Sequence, residues 1–300
     1  MKLFSPAYYQ KFTCIAGNCR HSCCIGWEID VDKKTLKKYK KLKDDAILSS
    51  IERDDVPHFC LCADERCPHL NEEGLCRIIL KYGDGCLCDI CREHPRFYND
   101  TVRGREVGIG MACEEACRLV LTTDDFGVCM IGKEKGRHRR PSFDALPVRD
   151  GIYAVLADKA LSYPERLGRI ADAFDVSFPS DKACASLFSS LEYMKEENRA
   201  RFSAASPFIA FSTTPKEIEI FLSRTLAYFV FRHVTATRNA CELRMVVGLC
   251  LLLERLLCSL AVKENALSLD AFSEIAREVS EELEYSEENT ERLKLFFSVS

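Results

Sequence analysis

Residues 14–24 read CIAGNCRHSCC, which places four cysteines, Cys14, Cys19, Cys23 and Cys24, in one short stretch. Ten more follow before residue 130, at Cys60, Cys62, Cys67, Cys76, Cys86, Cys88, Cys91, Cys113, Cys117 and Cys129, out of 18 in a chain of 300 residues. Grouping of this kind points to a metal site. A thiolate is a soft, charged ligand that suits zinc, iron-sulfur clusters or copper(I), and short spacings let several thiolates converge at small loop-closure cost. The other explanation of dense cysteine is a disulfide framework, which belongs to short secreted chains. The opening MKLFSPAYYQKF has no apolar run of signal-sequence length, so the expected compartment is the cytoplasm, where thiols stay reduced. Cys184, Cys241, Cys250 and Cys258 stand alone on helical-looking stretches and read as small buried hydrophobes.

Spacing alone leaves the metal open. The usual zinc pattern pairs two C-x2-C units, and only Cys88 and Cys91 form one here. The side chains of adjacent Cys23 and Cys24 diverge, so the two do not easily serve one tetrahedral ion. Iron-sulfur clusters tolerate more scattered thiolates.

A chain of this length predicts two units. Hydrophobic residues make up 47%, as in a globular fold, and the net charge of -4 and pI near 6.0 exert no general pull toward nucleic acid or an anionic membrane. Neither is an expected partner. The organisation predicted is a cysteine-rich metal-binding region over 1–131, a basic, glycine-punctuated linker over 132–149 and a helical domain over 150–300. The fold class is mainly α, with an irregular N-terminal region carrying a short β-hairpin, followed by a helical bundle.

Asp32 precedes a helix-patterned run in which Leu36, Tyr39, Leu42, Ala46, Ile47 and Ile51 form an apolar stripe and lysines a solvated face. From Pro57 to Pro95 the pattern is irregular, and ligation rather than an apolar core is expected to organise it. The stretch RFYNDTVRGREVGIGM over 96–111 predicts a hairpin turning near Arg103-Gly104. Cys113 then stands at the start of a helix, where unpaired amides and the dipole favour a thiolate.

Farther on, Thr214-Pro215-Lys216-Glu217 predicts a capping box, with Ile218, Phe221, Leu222, Thr225, Phe229 and Val230 inward. The run Leu243–Leu260 is strongly apolar but interrupted by Arg244, Glu254 and Arg255, and predicts a central buried helix rather than a membrane span. Ser268 and Ser286 cap two further helices. Walker, nucleophile-elbow and H-E-x-x-H motifs are absent. Gly108-Ile109-Gly110 is a weak dinucleotide signal without βαβ context. The C-x3-C-x2-C pattern of radical enzymes begins at Cys19 and Cys23 but has Gly26 in its third place.

Five segments carry a family resemblance. They are Tyr8-Tyr9-x2-Phe12-x-Cys14 through Cys19, Cys23, Cys24, Trp27, Ile29 and Asp32; Cys67-Pro68-x-Leu70-x3-Gly74-Leu75-Cys76; Cys91-x3-Pro95-Arg96; and, more loosely, the blocks at Cys113 and at Leu283–Asn289. Together they resemble the flagellin lysine-N-methylase family, which overlaps the zinc- or iron-chelating CxxCxxCC proteins. The resemblance implies a lysine N-methyltransferase acting on flagellin or another protein substrate, with S-adenosylmethionine as methyl donor and a [4Fe-4S] cluster. The matching ligand candidates are Cys14, Cys19, Cys23, Cys24, Cys67, Cys76, Cys91 and Cys113. A single cubane takes four thiolates, so the others are left to pack, bind a second metal or take part in redox chemistry. Departures from the family pattern are Glu114 for proline, Cys117 for alanine, His94 for tyrosine and Tyr285 for histidine. The sequence names no catalytic base. Its alternative function is a non-enzymatic adaptor, with zinc holding the N-terminal region.

Overall fold

The computed structural model describes all residues except 137, 138, 207, 299 and 300. Part of the basic stretch taken as a linker, Arg137 and His138, therefore lies outside the described residues. The chain forms two units, a smaller one of Thr13–Phe97 with Cys113–Glu115, and a larger one of Met1–Phe12, Tyr98–Ala112 and Ala116–Ser300. Helix predominates, as the patterning predicts.

In the smaller unit α1 (Lys33–Leu42) starts where the Asp32 carboxylate accepts hydrogen bonds from the Lys34 and Thr35 amides. The apolar stripe does not continue as one helix to Ile51. Lys43 turns into the left-handed region at φ 54°, and Asp44 caps a second short helix, α2 (Asp45–Leu48). The break lets Ile47 and Ile51 reach the same cluster as Tyr39. That cluster also holds Ile29, Val31, Phe59, Leu70 and Ile78. A two-stranded ladder, β2 (Ile51–Glu52) with β3 (His58–Phe59), and helices α3 (Arg77–Tyr82) and α4 (Asp89–Glu93) complete the unit. The apolar cluster is larger than the irregular sequence pattern suggests, because its members come from separate short segments with no shared period.

The larger unit contains a four-stranded sheet in the order β4-β5-β1-β6, with β1 (Lys2–Pro6), β4 (Arg96–Thr101), β5 (Gly104–Ile109) and β6 (Val128–Lys133). The β4-β5 hairpin turns where predicted, and the Thr101 hydroxyl donates to the Gly104 carbonyl at 2.9 Å. The sequence reading missed β1, which runs parallel to β5 and antiparallel to β6. It missed β6 as well. Both are short and half-exposed, so neither shows a clean alternation.

Helix α5 (Glu114–Thr122) is followed by α6 (Leu146–Ala157), α7 (Tyr163–Ala173), α8 (Asp181–Ser190), α9 (Glu196–Ser203), α10 (Lys216–Phe229), α11 (Leu243–Lys263), α12 (Leu269–Val279) and α13 (Glu287–Leu295). Ser268 and Ser286 cap their helices as predicted. The predicted box at Thr214 does not form. Thr214 is buried, and its hydroxyl instead accepts from the Arg255 guanidinium at 3.3 Å.

Helix α11 runs through the core, with Leu249, Leu252, Leu253, Leu256 and Leu257 almost fully buried. Burying each such side chain contributes about 1.5–3 kcal/mol. The charges that interrupt this apolar run, Glu254 and Arg255, pair with each other inside the core, and the Tyr163 hydroxyl donates to Glu254 at 2.7 Å. By length and composition Ala240–Lys263 is the one segment among the described residues apolar enough to cross a membrane, and 89% of its most apolar window is buried within the fold. Cys184, Cys250 and Cys258 are buried as expected, whereas Cys241, in the turn before α11, is exposed.

Candidate functional site

In the smaller unit the chain brings cysteines together through backbone pairing of distant segments. The Cys67 amide donates to the Cys24 carbonyl at 2.8 Å, and Ile25 bridges to Arg66 and Leu70 to Cys76. Gly17 and Gly74 let two of these segments touch. A Cβ on Gly74 would stand 3.2 Å from the Gly17 Cα, and Gly74 itself has φ +71°, so the Cys14–Cys24 loop lies against the Asn71–Cys76 turn only because both positions lack side chains. The Asn71 Oδ1 accepts from the Leu75 amide at 2.7 Å and fixes that turn.

The result is a packed thiol group. Cys67 and Cys88 are buried in the apolar cluster, and Cys24, Cys76, Cys86 and Cys91 pack against it. Cys88 precedes α4 and Cys91 lies in its first turn, with the two sulfurs 3.3 Å apart. Their shared hydrogen bond lowers the pKa of Cys88 and raises that of Cys91, so the pair favours a single thiolate. Burial, with repulsion from Cys24, Cys76 and Cys88, pushes the Cys67 thiol up to about 12.

A second group lies on the other side of the Cys23-Cys24 step. Cys23 is in electrostatic reach of Cys14 and Cys113, as Cys19 is of Cys113. Glu114 joins these segments: its carboxylate accepts from the Arg20 amide at 2.8 Å and from the Arg20 Nε at 2.9 Å. Burial first, then Glu114 and Cys113, push the Cys19 thiol up to about 11.

The eight cysteines suggested by family resemblance fall in two adjoining groups, joined where the side chains of Cys23 and Cys24, expected from their adjacency to diverge, hydrogen-bond to each other. Cys24, Cys67, Cys76 and Cys91 fall in the packed group, and Cys14, Cys19, Cys23 and Cys113 in the other. Cys86 and Cys88 were left out of that set of eight and belong with the packed group, where the C-x2-C spacing of Cys88 and Cys91 was the available signal. Cys60 and Cys62 are exposed. Trp27 is half-buried.

The chemistry of the packed group suits a thiophilic centre. Tyr39 is fully buried, its hydroxyl has no hydrogen-bond partner, and the thiols of Cys88, Cys91, Cys76 and Cys86 are the charges that act on it after burial. A donor held among thiols without an acceptor is matched by a sulfur-rich anionic group. Among the described residues, however, no three Cys, His, Asp or Glu donors already stand at the mutual distances of a bound ion.

The larger unit holds a buried polar core that the sequence reading did not identify. Two helices change there to single π-helical turns, Val230–Val234 after α10 and Ser280–Glu284 after α12. Such turns recur at functional sites because they re-aim side chains out of helical register. Here they deliver Arg232, His233 and Glu284 to one place. Glu284 accepts from the Ser280 hydroxyl at 2.6 Å, from the Tyr228 hydroxyl at 3.2 Å, and lies 2.7 Å from His233 Nε2. Arg232 donates to the Tyr228 hydroxyl at 2.8 Å and to the Glu284 carbonyl at 3.1 Å. Burial would raise the Glu284 pKa, but Arg232, His233 and Ser280 outweigh it and hold the carboxyl below its ordinary value. Burial lowers the His233 pKa against the pull of Glu284. The core thus contains a carboxylate, a guanidinium and a neutral imidazole.

Gly110 closes this core, because a Cβ there would collide with the Tyr285 hydroxyl and stand 3.0 Å from Arg232. The glycine of the weak G-x-G signal is therefore a packing position.

Known proteins give this arrangement a context. The chain is 32% identical over 131 residues to a lysine-N-methylase of Salmonella choleraesuis, and 31% identical over the same length to one of Salmonella typhimurium. These matches cover 40% of this chain, which spans only 32% of the length of those relatives. It is 30% identical over 161 residues to the flagellar biosynthetic protein FliU of Salmonella muenchen, a match that covers 50% of this chain and 94% of that protein. No family model matches the chain. No solved structure matches it. With nearly all of the FliU protein covered at this identity, the chain belongs to the flagellin lysine-N-methylase family.

Proposed function

We propose that this protein methylates lysine ε-amines of a flagellin-type protein, drawing the methyl group from S-adenosylmethionine, with an iron-sulfur cluster in its cysteine-rich unit and the cytoplasm as its compartment. The observation that carries this reading is the kinship with FliU and the lysine-N-methylases. The packed thiols around the unpartnered Tyr39 hydroxyl support the cluster. Cys24, Cys67, Cys88 and Cys91 would hold it, with Cys76 packed beside them. A bound cluster supplies redox capacity and a dense anionic centre.

Methylation forms an N–C bond as the donor's S–C bond breaks, and it needs a neutral amine with a free lone pair. A desolvated site next to fixed positive charge favours that neutral form. Coexpression with the cognate flagellin is expected to add mass in steps of about 14 daltons, one methyl group each, to flagellin lysines. Flagellin that stays unmodified beside a metal-loaded protein would remove the assignment.

The zinc adaptor is the second reading, favoured by one observation, the C-x2-C pair at Cys88 and Cys91. It predicts colourless protein with stoichiometric zinc after anaerobic preparation. The iron-sulfur reading predicts brown protein with about four iron and four sulfide.

A further inference from the structure

Helix α1 carries a charge that the fold does not use. Residues 33–43 read KKTLKKYKKLK, with seven lysines and no acidic side chain. Thr35 and Tyr39 face inward and are buried, which leaves the lysines on the outer face. Lys33, Lys34, Lys37, Lys38 and Lys41 line an open groove of about 540 Å³ in the smaller unit. Their spacing sets them in two rows, Lys33-Lys37-Lys41 and Lys34-Lys38, each stepped by one helical turn. Among the described residues no carboxylate pairs with these five ammonium groups, and only Lys38 has a partner, the Gly85 carbonyl. The two carboxylates that bracket the helix are engaged elsewhere. Asp32 accepts from the Lys34, Thr35 and Asp89 amides, and Asp44 accepts from Lys81 at 2.8 Å and from the Tyr82 hydroxyl at 2.6 Å.

The arrangement opposes folding rather than supporting it. Like charges one turn apart repel, and Lys33 and Lys34 stand at the positive end of the helix dipole. The helix is positioned by its Asp32 cap and by Tyr39 in the apolar cluster, neither of which needs the lysines. Solubility does not account for them either, since glutamate at alternate turns would keep the face hydrated and add attraction. A concentrated charge of one sign without internal counter-charge is complementary to an anionic partner.

The chemistry of the face selects among polyanions. Nucleic acid is gripped by arginine forks and aromatic platforms, but α1 has no arginine and its one ring, Tyr39, is buried. A helix that lies on a membrane inserts its apolar face into lipid, and here that face is packed in the cluster with Ile29 and Phe59. Ammonium groups on flexible stems suit carboxylates presented on an irregular protein segment.

We propose that the lysine face of α1 docks an acidic segment of the protein substrate. The inference rests on the lysine-methylation reading and names a recognition contact apart from the reacting amine. The α1 ammonium groups repel the substrate's own lysines, so the contact runs through its Asp and Glu side chains. Such pairs are solvent-exposed and screened by salt, so docking weakens as ionic strength rises.

The test compares wild type with the triple variant Lys33→Gln, Lys37→Gln and Lys41→Gln. The control is Lys159→Gln, Lys182→Gln and Lys216→Gln, which changes net charge equally through exposed lysines of the larger unit. Acetylated, amidated octaglutamate, read by fluorescence anisotropy, should bind wild type and control alike and the α1 variant at least tenfold more weakly. The melting temperature of the α1 variant should be unchanged or higher, which separates lost docking from lost folding. Equal affinity of the two triple variants would overturn the proposal. So would tighter binding, through the same lysines, of a mixed-sequence oligonucleotide of matched charge or of phosphatidylcholine vesicles carrying phosphatidylserine. In methyl transfer the α1 variant should raise KM for flagellin at least tenfold with kcat unchanged. An unchanged KM in a protein that methylates flagellin would overturn the docking face and leave the methylation reading standing. Flagellin bound through these lysines but never methylated would remove the methylation reading and leave the acidic docking face standing.

Discussion

His233 Nε2 lies 2.7 Å from Glu284 Oε1, so a hydrogen bond links the two π-helical turns of the larger unit side chain to side chain. Glu284 is the hub of that link, because Arg232, Tyr228 and Ser280 also interact with its carboxylate.

Removing the Glu284 charge should therefore be costly. Glu284→Gln keeps the volume but leaves the Arg232 guanidinium without its buried counter-charge, and breaking a buried pair in this way costs about 3–5 kcal/mol. Chemical denaturation should show a loss of that order with an unchanged m-value. A loss under about 1 kcal/mol would mean the core is solvated rather than dry.

Gly110→Ala tests how tightly this core is closed. The new methyl must displace the Tyr285 hydroxyl, and overpacking of this kind costs about 1–3 kcal/mol. Tyr285→Phe in the same chain removes the colliding oxygen, so the double variant should recover much of the loss. Independent, additive effects would show that the two residues do not meet.

Much of this organisation was legible in the sequence. The helix starts at Asp32, Ser268 and Ser286, the hairpin at 96–111 and the central helix all carry local signals, caps or periodicity, that short-range physics enforces. The π-turns carry none, since Arg232, His233 and Glu284 sit in stretches that look like ordinary helix, and only packing of distant segments forces the extra residue. Thr214 shows the reverse. Its capping signature is intact, but the nearby Arg255 guanidinium takes the hydroxyl, so a tertiary contact overrides the local one. The cysteine motifs were plain, while the approach of the Cys14–Cys24 loop to the Asn71–Cys76 turn depends on the Gly17–Gly74 contact, which no spacing reveals.

The smaller unit should lose stability in acid. Burial, with the Arg96 charge adding, lowers the His94 pKa to about 4, against roughly 6.5 in an unfolded chain. The unfolded state then binds the extra proton, so this contribution is complete above the unfolded value and falls as pH drops toward the folded one. The slope for one proton is about 1.4 kcal/mol per pH unit. Denaturation of wild type and His94→Gln between those limits should show a shallower dependence in the variant. Parallel curves would assign the acid sensitivity elsewhere.

Metal retention separates the packed cysteine group from the cysteines of the helical core. Cys88→Ser and Cys67→Ser should each lose bound metal and destabilise the smaller unit, because ligation contributes folding free energy. Cys258→Ser, in α11, should keep its metal. Tyr39→Phe should retain the metal and shift its reduction potential to lower values, since the hydroxyl is placed to donate to sulfur. Metal content of these variants by elemental analysis, with titration of the visible absorbance for Tyr39→Phe, checks both points. Full metal in both Cys88→Ser and Cys67→Ser would move the centre to the group around Cys14, Cys19, Cys23 and Cys113.

The most direct measurement is methyl transfer with purified components. Protein prepared without oxygen, with its metal quantified, is incubated with the cognate flagellin and S-adenosylmethionine, and the intact mass of flagellin is followed. The account predicts increments of about 14 daltons that map to lysines, depend on the donor, and disappear with Cys88→Ser. Flagellin of unchanged mass, with metal-loaded wild-type protein and donor both present, would contradict it.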